Sequence, residues 1–93
     1  MDAKRARRPK SIHDPAYKKA CDILRQLRTD KGLTQRELAE IMDEHRSFIW
    51  KTESGERRLD AVELIRWCLG CGVDPDEVFA RIRKNVKKPI RFK

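Results

Sequence analysis

Residues 33–55 read LTQRELAEIMDEHRSFIWKTESG, two short helix patterns separated by a break at Asp43 to His45. Thr34 stands where an N-cap belongs, and Glu37, three residues on, completes a capping box. Leu38, Ala39, Ile41 and Met42 give the first helix its expected inward face. Ala39 is small enough for a second helix to cross closely over it. After the break, Ile49 with Phe48 and Thr52 supplies a weaker apolar stripe, which runs to Ser54-Gly55, where glycine is the expected stop. Helices this short bury too little surface to stand alone and must lean on neighbours.

The second helix leaves Arg46, Ser47, Trp50 and Lys51 on its outer side. Two helices in this order, the second with a polar and basic outer face, have the layout of a helix-turn-helix, whose second helix enters the DNA major groove. Arg46 begins that helix. Its guanidinium fork suits O6 and N7 of guanine, or a phosphate. Ser47 is suited to a base, a phosphate or a local backbone group. Lys51 follows four and five residues later on the same face and reaches for groove or backbone. Trp50 has two readings: packing on a thymine methyl or sugar edge, or folding back over the helix junction beside Glu44. Arg57 and Arg58 follow on a loop, and one or both either meet phosphate or form a solvated surface.

From about Leu24 to Phe79 the chain resembles the Cro and lambda-repressor (XRE-like) group of helix-turn-helix regulators. The residues that carry the resemblance are Arg28, Gly32-Leu33-Thr34-Gln35, Glu37-Leu38-Ala39, Ser47, Ile49, Glu53-x-Gly55 and Leu69-x-x-Gly72-Val73. The resemblance implies that Gln35 grips a phosphate and supports the recognition helix, that Arg46, Ser47, Trp50 and Lys51 read base edges, and that Arg28 and Glu53 form a partly buried ion pair. Four positions depart from the family pattern. Asp43 stands where glycine usually turns the chain, so it must enter the left-handed region or the turn is remodelled. Glu44 replaces an apolar residue, Thr52 replaces the common Ile and pins the helix less firmly, and Trp50 is unusual on a reading face.

The flanking sequence extends this to an all-α, five-helix fold. Asp14-Pro15 reads as an N-cap followed by Pro at the first helical position. Tyr17, Ala20, Cys21, Leu24, Leu27 and Arg28 then recur at helical spacing up to Gly32, giving the first helix. Asp60 with Glu63 opens a fourth helix, with Val62, Ile65, Leu69 and Cys68 expected in the core and Trp67 pointing away. Trp67 is then either an interface aromatic or the lid of a local pocket. Asp74-Pro75 opens a fifth, packed by Val78, Phe79 and Ile82. The domain spans 13–84, with a disordered basic arm at 1–12 and a basic tail at 85–93.

Charge distribution points to the same class of partner. The chain carries a net +8, with +4 in residues 1–10 and +7 in 81–93, which leaves the middle at −3. A slightly acidic body with basic ends must concentrate its positive field on one face and in its tails. Those tails touch DNA or serve only solubility. No apolar run is long enough for a membrane span and no signal-peptide pattern follows Met1, so a cytoplasmic, nucleoid-associated protein without membrane contact is expected. Cys21, Cys68 and Cys71 form no paired framework and read as reduced thiols. Neither His13 nor His45 comes with metal-ligand spacing, so Cys68-x-x-Cys71 is read as structural.

No nucleophile–base pair, phosphate-cradling glycine loop or metal cluster is visible, so neither an enzyme nor a cofactor is expected. The function expected is a sequence-specific regulator of transcription, a repressor binding double-stranded DNA as a homodimer on a two-fold operator. Helices 4 and 5 with the tail are the expected dimer surface. The alternative is an antitoxin-like protein that binds a toxin-like partner and regulates its own promoter. A third possibility is a bridging factor that holds nucleic acid through its tails.

Overall fold

The structure, a computed structural model, describes residues 14–87; the arm at 1–12, His13 and residues 88–93 of the tail lie outside them. Five helices follow in order: α1 (Pro15–Lys31), α2 (Gln35–Met42), α3 (Arg46–Glu53), α4 (Ala61–Gly70) and α5 (Pro75–Arg83). Among the described residues there is no strand, and no helix is long and apolar enough to cross a membrane.

Local chemistry sets most boundaries. Asp14 accepts from the Ala16 N–H and Asp74 from the Asp76 N–H, each ahead of a Pro at the helix start. Reciprocal capping boxes join Thr34 to Glu37 and Asp60 to Glu63. Gly32 ends α1 at φ 81°, a left-handed conformation that glycine adopts without steric cost. Asp43 takes the same conformation at φ 57° and ends α2. Its N–H bonds the Glu40 carbonyl at 3.2 Å and the Glu44 N–H bonds the Ala39 carbonyl at 2.8 Å, the hydrogen-bond pair of a Schellman turn. The turn therefore keeps its shape although aspartate stands in the glycine's place.

The core gathers Leu24 and Leu27 of α1, Leu38 and Ala39 of α2, Phe48 and Ile49 of α3, Trp67, Cys68 and Cys71 on and just after α4, and Val78 of α5. Thr52 is also fully buried, and its hydroxyl donates to the Phe48 carbonyl at 2.8 Å. The position where Ile is common thus holds a satisfied polar group.

The α4 register corrects the sequence expectation. Val62, Ile65 and Leu69, expected inside, are exposed, whereas Trp67, expected outside, has no accessible surface. α4 carries two apolar stripes, and the one that turns inward (Leu64, Trp67, Cys68, Cys71) holds the largest side chain. Tryptophan buries the most area, and its indole N–H donates to the Leu24 carbonyl at 3.1 Å, so no donor is left unsatisfied. Phe79 and Ile41, also expected inside, are exposed. A Cβ built at Gly70 would stand 3.2 Å from the ends of both Ile41 and Leu38. Gly70, within α4 rather than beyond its end, lets α2 approach closely.

The left-handed residue gives the first prediction. Asp43→Ala, which adds the strain without the tolerance of a short polar side chain, should destabilise the fold by about 1 kcal/mol. Asp43→Gly should cost less. Urea denaturation of the three proteins checks this, and equal stabilities for the alanine and glycine variants would contradict it.

Candidate nucleic-acid interface

Helix α3 is held from beneath by one carboxylate. Glu53, the last residue of α3, has a side chain only 1 % exposed. Arg28 of α1 donates from Nε to Oε2 at 2.6 Å and from Nη2 to Oε1 at 3.0 Å, a bidentate pair, and from Nη1 to the Leu33 carbonyl at 2.8 Å. Gln35, the first residue of α2, donates from Nε2 to Oε1 at 3.1 Å. Arg25 adds a longer approach at 3.6 Å and donates to the Glu53 carbonyl at 3.3 Å. The hydrogen bonds to Glu53 push the Arg28 guanidinium pKa up, so its positive charge is fixed. One buried acid therefore ties α1, the start of α2 and the end of α3 together.

With its inner side so fixed, α3 turns Arg46, Ser47, Trp50 and Lys51 outward, all exposed. Arg46, Ser47 and Trp50 line one open depression together with His45 and Gln35. An adjoining one is lined by Arg28, Thr34, Gln35, Arg36 and Arg46. Trp50 is 48 % exposed on this side, and Glu44 lines a different depression, against α4. The α3 N-cap, His45, makes no side-chain cap bond, and its carbonyl accepts from the Phe48 N–H at 2.9 Å. Lys51 projects from the same helix but does not line these depressions.

The loop after α3 is more structured than the sequence implies. The Lys51 carbonyl accepts from the N–H of Glu56 at 2.9 Å and of Arg57 at 3.1 Å, anchoring the loop to the helix end. Arg57 pairs with Glu63 through both terminal nitrogens at 3.0 Å and lies 4.4 Å over the Phe48 ring. The Tyr17 hydroxyl donates to the Arg57 carbonyl. Arg58 lies 5.1 Å over the Tyr17 ring with its side chain exposed. Arg57 is thus occupied within the protein, whereas Arg58 faces solvent.

Sequence reasoning did not single out Arg36 or His45, which line the same depressions. In the sequence His45 is weighed only as part of the break and as a metal ligand, and Arg36 carries no part of the family resemblance. The Arg57–Glu63 pair was hidden because Glu63 was already accounted for as a capping residue. Among the described residues no group of three or more His, Cys, Asp or Glu is placed to hold a metal ion. Cys68 and Cys71 lie in the core, and burial pushes both thiols up, Cys71 from 9 to about 11.

A helix-turn-helix domain family model matches residues 22–80. An XRE-family like protein from Pseudomonas syringae pv. tomato is 37 % identical, with a TM-score of 0.75 over 84 % of this chain and 95 % of that one. The chain belongs to the XRE family of helix-turn-helix regulators. As an XRE-family member it is a DNA-binding regulator of transcription. The restriction-modification controller protein C.AhdI from Aeromonas hydrophila is 33 % identical, with a TM-score of 0.63 over 68 % of this chain and 96 % of that one. The restriction-modification controller protein C.Esp1396I, solved as a tetramer with its natural 35 base-pair operator, is 25 % identical, with a TM-score of 0.69 over 77 % and 95 %. A comparison with curated proteins gives no significant match.

Two predictions follow from the buried groups. Glu53→Ala leaves the Arg28 charge without its partner and should destabilise the domain by about 3 kcal/mol. Replacing both residues by Leu and Met should recover part of that loss. A thermal melt in which Glu53→Ala matches the parent would contradict the role given to this pair.

The second concerns alkaline pH. The Cys71 thiol ionises near 9 when unfolded and near 11 when folded, so between those values the unfolded chain binds fewer protons. Its contribution to stability is complete below the lower value and is lost as pH rises through the higher one. Cys71→Ala should show a shallower loss of stability over that range in chemical denaturation. Parallel pH profiles would contradict the shift.

Proposed function

We propose that this XRE-family protein represses transcription by binding a two-fold operator as a homodimer. The observation that carries the DNA surface is the shared open depression of Gln35, Arg46, Ser47 and Trp50, with α3 held from behind by Glu53. In this reading Arg46 addresses a base edge, Ser47 and Lys51 contact base or phosphate, and Gln35 meets the phosphate backbone at the start of α2. Arg58 takes the phosphate role on the following loop. Arg57 positions that loop. The basic residues of the arm and tail add sequence-independent attraction to the duplex.

A single short recognition helix specifies few base pairs, and two copies about one helical turn apart multiply the discrimination. Val62, Ile65 and Leu69 of α4 and Phe79 of α5 are exposed, and apolar groups on one surface suit an isologous contact with a second copy. The controller protein that is similar in fold was solved as a tetramer on its operator, which supports binding of DNA by more than one copy here. In this reading the protein works in the cytoplasm, on nucleoid DNA, by occupying a promoter.

Selection of bound sequences from a random duplex library tests the reading, with a two-fold consensus as the expected result. Absence of any enriched sequence would contradict it. On a selected operator, Arg46→Ala should weaken binding by about 1–3 kcal/mol and relax the preference at one base pair per half-site. Unchanged affinity and preference would remove Arg46 from the interface. Sedimentation equilibrium should give a dimer, and Ile65→Glu with Leu69→Glu should give a folded monomer. A monomeric parent protein would contradict the dimer.

A further inference from the structure

The apolar group on the reading face implies a particular chemistry in the DNA, an inference that rests on the DNA-binding reading above. Trp50 is 48 % exposed and shares its depression with Arg46 and Ser47. The structure thus puts its indole beside the groove-directed residues, away from the α2–α4 side where Glu44 lies. An indole carries one N–H donor and no acceptor, so most of its surface can be matched only by apolar surface. In the major groove, the apolar group that a base edge offers is the C5-methyl of thymine, or the same methyl on a modified cytosine.

We infer that Trp50 reads a pyrimidine C5-methyl group in each half-site. Arg46 and Trp50 are four residues apart, a rise of about 6 Å along the helix. Base pairs succeed one another at about 3.4 Å, so the methyl belongs to a pyrimidine about two steps from the base that Arg46 addresses. Arg46 and Trp50 together specify a polar acceptor edge and a methyl at fixed spacing. The methyl, not the hydrogen-bonding pattern of that base pair, is the feature recognised, so 5-methylcytosine substitutes for thymine there.

The test uses the full chain on a selected operator, with each thymine replaced in turn by deoxyuridine, which removes only the methyl. Binding should fall about fourfold at one position per half-site, the loss expected for about one methyl-sized apolar contact. Trp50→Ala should bind more weakly and be indifferent to the replacement, Trp50→Phe should retain the sensitivity, and Arg46→Ala should retain it also. At the same position, cytosine should bind more weakly than 5-methylcytosine by a similar factor. Selected operators that tolerate deoxyuridine everywhere, or a Trp50→Ala variant as sensitive as the parent, would overturn the inference and leave the DNA-binding reading standing. Absence of any selected sequence would overturn both.

Discussion

The carboxylate of Glu53 is the point on which this small domain turns. A buried charge is costly unless paired and hydrogen-bonded, and here Arg28 and Gln35 supply three bonds within 3.1 Å. Such a pair adds little net stability compared with apolar residues of similar volume, but its geometry is directional. Arg28 is fixed along α1, Gln35 opens α2 and Glu53 closes α3. Satisfying one carboxylate therefore sets the relative placement of three helices, which nonspecific apolar packing alone would leave looser.

What that placement achieves is exposure. Phe48, Ile49 and Thr52 are drawn into the core, and the opposite side of an eight-residue helix is left clear. The loop beyond it receives a second tether: Arg57 spans from Phe48 to Glu63, while the Lys51 carbonyl holds the loop backbone. Arg57 thereby contributes rigidity, and Arg58 next to it keeps its charge toward solvent. Adjacent arginines that look alike in sequence have separate duties in the fold.

The helix boundaries were legible because they rest on local chemistry. Asp14, Thr34, Asp60 and Asp74 cap the helices they precede, and Gly32 and Asp43 turn the chain through left-handed conformations. The side of α4 that faces inward was not legible, because Val62, Ile65 and Leu69 form as regular a stripe as Leu64, Trp67 and Cys71. The choice depends on a carbonyl of α1 that is 43 residues away in sequence and accepts the Trp67 N–H. The outer residues of α3 were accessible to sequence reasoning through their spacing. The contributions of Arg36 and His45 to the same depressions needed the crossing of α2 and α3. The internal engagement of Arg57 needed the position of Glu63 in three dimensions.

A nitrogen-15 NMR titration of the labelled protein with a selected operator bears most directly on the outward face of α3. The backbone signals of Gln35, Arg46 and Ser47 and the indole N–H of Trp50 should shift most, while the buried indole of Trp67 should move little. Shifts confined to the chain termini or to α4 and α5, with the indole of Trp50 unchanged, would contradict a recognition helix seated in the groove.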